Sequence, residues 1–169
     1  MEITAEYLRE RLDYNPETGI FVWKAHPNFP TTQVRLVGKR AGSVNNEGYR
    51  QIRVNGGRWK EHRLAWLYIH GEMPDNLCID HINMDRGDNR ISNLRLATNG
   101  ENNQNRAPQS NNKLGVKNVS AQTISGNFAV SFHLKGERLY FGTYKTLEEA
   151  AAVANRERKR LHGEFARAA

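Results

Sequence analysis

The chain has 169 residues, of which 38% are hydrophobic and 25% charged, a balance that excludes a wholly disordered protein; no apolar run nears the ~18 residues of a bilayer-spanning helix. The single cysteine, Cys78, excludes an internal disulfide and a multi-cysteine zinc centre, and fits a cytoplasmic setting. The net charge of +7 points to a polyanionic partner, and it is uneven: residues 1–106 hold 15 basic and 13 acidic side chains, residues 107–169 hold 10 and 5.

The opening Met1-Glu2-Ile3-Thr4 lacks the basic start and apolar core of a secretory leader. A short helix is predicted over roughly residues 4–13, capped by Thr4, with Tyr7, Leu8 and Leu12 on one face. Asn15-Pro16-Glu17-Thr18-Gly19 reads as a turn and Ile20-Phe21-Val22-Trp23 as a strand; residues 24–42 carry no clear pattern. Tyr49 to Val54 alternates, which predicts a strand with one packed face and another carrying Arg50 and Arg53 as DNA-contact candidates. Asn55-Gly56-Gly57 is a hairpin signal, and Arg58-Trp59-Lys60 returns the chain. A helix follows from about His62 to His70, stopped by Gly71.

Cys78-Ile79-Asp80-His81 places a carboxylate beside an imidazole on a strand-like segment. A turn-rich stretch, Met84 to Arg90, leads to the short strand around Asn93-Leu94-Arg95 and then to a helix bearing Glu101, Asn102, Asn103 and Asn105. Strand, long loop, strand and helix form a ββα unit over about residues 78–106. Beyond it, residues 107–112 are polar and aperiodic and read as a linker between domains 1–106 and 113–169.

In the C-terminal segment a strand is predicted within 115–120. Phe128, Val130, Phe132 and Leu134 define one face of a second strand. Lys135-Gly136-Glu137 is a turn, and Arg138 to Tyr144 pairs back. Thr146 and Glu149 make a capping box for a helix with Leu147, Ala150, Ala151, Ala154 and Leu161 on one stripe, ended by Gly163. The whole chain is thus an α+β protein: a ββα unit, then a three-stranded antiparallel sheet packed on one helix.

Asp80-His81, Asn93-Leu94-Arg95 and Glu101-Asn102-Asn103-Gln104-Asn105, with His62-Arg63-Leu64-Ala65-Trp66 upstream, closely resemble the HNH endonuclease family, in its homing-endonuclease branch, over roughly residues 45–106. The resemblance implies a ββα-metal (His-Me finger) core that hydrolyses double-stranded DNA to 5′-phosphate and 3′-hydroxyl ends. It implies His81 as general base, Asp80 and Asn102 as ligands of Mg²⁺ or Mn²⁺, and Asn93 as the residue holding the loop behind His81. Asn103 or Asn105 could replace Asn102 as ligand, Asp85 and Asp88 could belong to a solvated loop or bind metal, and His62 could assist the site or fill the core. Trp23, Trp59 and Trp66 read as core residues. His26, His70, His133 and His162 read as structural or surface residues.

Leu114-Gly115-Val116, Arg138 to Tyr144, Thr146 to Ala151 and Leu161 to Ala166 resemble the plant apetala/ethylene-response-factor DNA-binding domain. That resemblance implies a sheet entering the major groove with the helix bracing it. The middle strand departs from the plant pattern: Ala129 and Ser131 cannot make the bidentate guanine contacts of arginine. Lys117, Lys135, Arg138 and Tyr140 remain as DNA-contact candidates, weighted to phosphate. The expectation is a phage-type, monomeric homing endonuclease of the cytoplasm, with no membrane partner. The alternatives are a DNA-binding regulator with a degenerate nuclease core, against which the intact four-residue set argues, and an RNA-binding or structural protein, for which no aromatic-rich platform speaks.

Overall fold

A computed structural model describes residues 3–27, 34–104, 112–134 and 136–166. The chain divides into two compact units, Met1–Asn99 and Gly100–Ala169. The predicted linker falls mostly outside the described residues. All strand pairs among the described residues are antiparallel in this mixed α/β chain.

The first unit opens with α1 (Ala5–Arg11), whose cap Thr4 accepts the Tyr7 N–H at 3.2 Å. The helix is shorter than predicted. Leu12, expected on its apolar face, instead starts β1 (Leu12–Asn15), which pairs with β2 (Ile20–Trp23). Period two wins over period 3.6 here because Leu12 and Tyr14 are both buried while Asp13 and Asn15 are exposed. In the turn between these strands Gly19 sits at φ +69°, and a Cβ on it would overlap the backbone of Asn89 and Arg90.

The segment without a sequence pattern contributes one 3₁₀ turn, Val34–Leu36, and the fully buried Ala41. A three-stranded sheet follows: β3 (Ser43–Val44), β4 (Arg50–Val54) and β5 (Gly57–Lys60), with β4 central. Val54 pairs with Gly57, so Asn55 and Gly56 form a two-residue turn, both at positive φ as a twisted hairpin requires. Arg50 and Arg53 do not share a face, contrary to expectation. They are three residues apart on a strand of period two, so Arg50 joins the Ile52 side and turns inward while Arg53 is exposed.

Next, α2 (Glu61–His70) packs on α1, β4 and β5 and ends at Gly71 in the left-handed region. It leads to the hairpin β6 (Cys78–His81) and β7 (Leu94–Ala97), followed by α3 (Asn99–Gln104). The core joins Leu8, Leu12, Phe21, Ile52, Leu64 and Ile79, with Trp23, Trp59 and Trp66 partly buried against it.

In the second unit β8 (Val119–Ala121), β9 (Phe128–Leu134) and β10 (Glu137–Tyr144) form a sheet with β9 central. On it packs α4 (Leu147–His162), with both halves of the Thr146/Glu149 capping box formed. Ala150 and Ala154 are fully buried against Val119, Val130 and Phe132, so the small residues do let the helix sit close. Unexpected from the sequence is Arg158, buried and held by the Asn118 and Asn155 side-chain oxygens and the Lys117 carbonyl.

Candidate active site

Asp80 and His81 stand at the end of β6, opposite Arg95 and Leu94 of β7. Both are buried because β6 runs into the core beside Ile79. Asp80 Oδ2 accepts from Arg95 Nε at 3.1 Å and Nη2 at 3.0 Å. His81 Nε2 lies 3.1 Å from Asn89 Oδ1, and its ring packs edge-on against His62 with centroids 4.9 Å apart. Burial pushes the His81 imidazole below its ordinary pKa, against the upward pull of the Asn89 oxygen and of Asp80, Asp85 and Asp88. The group is therefore neutral near pH 7, the state a proton acceptor needs.

His62 is buried to a similar extent. Burial, reinforced by His81, Lys60 and Arg63, lowers it to about 3, and its Nδ1 has no hydrogen-bond partner among the described residues. It is neither a plain core histidine nor a surface one. Tyr49 touches both imidazoles and carries Lys60 and Arg86 over its ring, at 4.0 and 4.8 Å from the centroid, so two cations flank the site.

Asn93 sits under the loop that follows His81. Its Nδ2 donates to Asn83 Oδ1 at 2.9 Å and to the Asp88 carbonyl at 2.8 Å, and its Oδ1 accepts the Asn83 N–H at 3.0 Å. The Asn93 carbonyl accepts from Ile82 N at 2.9 Å. Asp85 and Asp88 serve the same loop. Asp85 Oδ1 accepts the Gly87 N–H, and Asp88 is gripped by Arg90 and Asn83, the Arg90 guanidinium holding its carboxyl down to about 2.

Asn102 is half-buried on α3, in the second unit, and Asn103 is exposed; Asn105 lies outside the described residues. Cys78 Sγ donates to Asn99 Oδ1 at 3.0 Å. Among the described residues no three His, Cys, Asp or Glu side chains gather into a metal-holding group. The Asp80 carboxylate next to His81 is a hard oxygen donor of the kind a hard divalent cation prefers.

Of the DNA-contact candidates, Arg53 is exposed and Arg50 is not: its guanidinium is committed to Glu61 Oε2 at 2.7 Å and to the Ala41 and Gly42 carbonyls. Arg138 and Tyr140 are exposed on β10, on the face away from α4, since the alternate residues Leu139 and Phe141 enter the core. Across from them lie His133 and Ser131. The Tyr140 hydroxyl pairs with Thr143 Oγ1. Lys117 is half-buried before β8, and Lys135 lies outside the described residues. Sequence reasoning missed the buried Asn89, which faces His81, and the buried Glu61 behind it. Asn89 looked like one more turn residue, and nothing local marks Glu61 as buried.

A buried imidazole biased towards its neutral form, with a carboxylate next to it in the chain, is equipped for acid–base chemistry. The HNH endonuclease family profile matches residues 60–104, from the end of β5 to α3. The chain is 33% identical over 132 residues to an uncharacterized HNH endonuclease of Acanthamoeba polyphaga mimivirus, covering 78% of this chain and 67% of that protein. It is 31% identical over 108 residues to Protein 3.8 of Escherichia phage T7, covering 64% of this chain and 88% of that one. Among solved structures it is similar to the HNH homing endonuclease I-HmuI, described for DNA binding and cleavage, at 22% identity and a TM-score of 0.41, over 56% of this chain and 51% of that one. The chain belongs to the HNH endonuclease family, and is an HNH nuclease.

Proposed function

We propose that the protein is a metal-dependent endonuclease that hydrolyses phosphodiester bonds of double-stranded DNA. The observation that carries this reading is His81, buried at the end of β6 directly after the buried Asp80. His81 takes a proton from water as the water attacks phosphorus in line. The phosphorus–O3′ bond breaks and the departing O3′ takes a proton from solvent, leaving 5′-phosphate and 3′-hydroxyl ends. Arg95 holds the Asp80 carboxylate in place, and Asn93 holds the loop that carries the backbone after His81. Asp80, with the Asn102 amide oxygen named by the sequence motif, would hold Mg²⁺ or Mn²⁺, which would supply Lewis acidity for the charge that develops on the leaving oxygen.

The second unit, in this reading, is a DNA-binding module of the apetala/ethylene-response-factor type. The exposed strand face bearing Arg138 and Tyr140 supports that, together with the basic excess of residues 107–169. Lys117, Lys135 and Arg53 are further candidate phosphate contacts. The mimivirus and phage T7 relatives are in keeping with a virus-encoded enzyme, and the same reading makes it a homing-type, monomeric enzyme of the cytoplasm.

The test is cleavage of plasmid DNA with Mg²⁺, with and without chelator, by wild type and by His81→Ala. Nicked or linear product that requires metal, with the variant slowed ~10²–10⁴-fold at near-normal DNA affinity, is expected. Wild-type cutting by His81→Ala would refute the base assignment, and DNA binding without metal-dependent cutting would favour a regulator.

A further inference from the structure

We propose that Asn89 and Glu61 are positioning residues that lock the tautomer of His81, so that Nε2 carries the ring proton and Nδ1 receives the proton taken from water. The catalytic half of this rests on His81 being the base; the tautomer does not.

Asn89 is 1% exposed and its side chain lies between Glu61 and His81. Its Nδ2 donates to Glu61 Oε2 at 3.0 Å and, at 3.4 Å, to the Gly87 carbonyl. Its Oδ1 faces His81 Nε2 at 3.1 Å. The amide cannot be turned over. Reversal would set Oδ1 against a carboxyl oxygen and a carbonyl, acceptor against acceptor in a buried site, leaving each of these groups without a donor. With Oδ1 fixed as an acceptor, Nε2 must be the donor, and a neutral imidazole then has its basic lone pair on Nδ1.

Glu61 is equally constrained. It is fully buried as the first residue of α2, and its Oε2 also accepts from Arg50 Nε at 2.7 Å. Burial raises the Glu61 carboxyl above its ordinary pKa, but a proton on Oε1 would leave Oε2 an acceptor. The amide orientation is therefore the same in either state. Arg50 is tied in turn to the Ala41 and Gly42 carbonyls, and the Asn89 carbonyl accepts from the Tyr14 hydroxyl at 2.7 Å. The chain Arg50–Glu61–Asn89–His81 thus draws on β4, α2 and the loop after β6, and none of its first three members belongs to the Asp80, His81, Asn93 and Asn102 set.

The experiment is long-range ¹H–¹⁵N correlation on the histidine-labelled full chain, with the His81 signals identified by their loss in His81→Ala, alongside cleavage kinetics. The Nε2–H tautomer is expected in the wild type. Asn89→Leu should give mixed tautomers and a fall of roughly 10²-fold in cleavage rate at unchanged DNA affinity, the scale of a misplaced reacting group. Glu61→Gln still offers an oxygen to the Asn89 amide and should keep both the tautomer and most of the rate, whereas Glu61→Leu should lose both. An Nδ1–H signal in the wild type overturns the proposal. So does a folded Asn89→Leu with the wild-type tautomer and rate, or a Glu61→Gln as impaired as Glu61→Leu. If Asn89→Leu does not fold, the wild-type spectrum and the Glu61 pair still decide. His81→Ala cutting at the wild-type rate would remove the base assignment alone, since the spectrum reads the tautomer without any cleavage.

Discussion

Replacing Asn93 with alanine removes three side-chain hydrogen bonds at once: two donated by Nδ2, to Asn83 Oδ1 and the Asp88 carbonyl, and one accepted by Oδ1 from the Asn83 N–H. At about 1 kcal/mol each the sum is about 3 kcal/mol. The Asn83 side chain reaches solvent, so water recovers part of it, and a loss of about 2–3 kcal/mol is expected for the first unit. Trp23, Trp59 and Trp66 all lie in that unit, so tryptophan emission reports its unfolding without a contribution from the second. With a urea slope of about 1–3 kcal/mol per molar, the midpoint should fall by about 0.7–3 M. A midpoint within about 0.3 M of wild type would refute the reasoning, because Asn93 would then not hold the loop together in solution.

Asp80→Ala and Asn102→Ala should each raise the Mg²⁺ or Mn²⁺ concentration giving half-maximal cleavage, read by metal titration; an unchanged requirement in Asn102→Ala would transfer the ligand role to Asn103 or Asn105. Arg90 depresses the Asp88 carboxyl from 3.8 to about 2 in the folded state, so its stabilisation is complete above about pH 4 and fades as pH falls towards 2. Asp88→Asn should therefore lower the urea midpoint at neutral pH and flatten its fall between pH 4 and 2, and parallel curves for the two proteins would contradict this. Arg138→Ala should weaken DNA binding about equally across sequences and reduce the slope of log affinity against log salt by about 1 if it touches phosphate; a loss confined to one base position would make it a reader of that base.

What the sequence made legible was local. The capping box of α4, the Asn55-Gly56 hairpin and the Gly71 stop are each set by neighbouring residues, and each forms as expected. Asp80, His81 and Asn93 were readable because a hairpin and its loop bring together residues already close in the chain. Asn89 and Glu61 were not, since they are 28 residues apart and meet only because α2 packs against the β6 loop. Arg50 misled for a related reason. A basic residue on a strand reads as surface, and only the fold reveals the buried carboxylate it neutralises. Leu12 fits helical spacing from Leu8 and strand spacing to Tyr14 equally well, and pairing with Trp23 decides the matter.

The N-terminal hairpin shows why the first unit is larger than a ββα core needs. The loop from Ile82 to Asn93 is polar and borders a buried imidazole, so its own apolar burial cannot hold it still. Its rigidity is imported. Tyr14 of β1 binds the Asn89 carbonyl, the Ile91 N–H donates to the Pro16 carbonyl at 3.1 Å, and the β1–β2 turn comes so near the Asn89–Arg90 backbone that only glycine fits at position 19. The backbone that carries the Asn89 amide to His81 is thus clamped by residues some 70 positions earlier in the chain. A misplacement of about 1 Å at a reacting group can cost ~10²-fold in rate, so on the proposal that Asn89 orients His81 a change at Tyr14 or Gly19 should slow cleavage through the loop that they clamp.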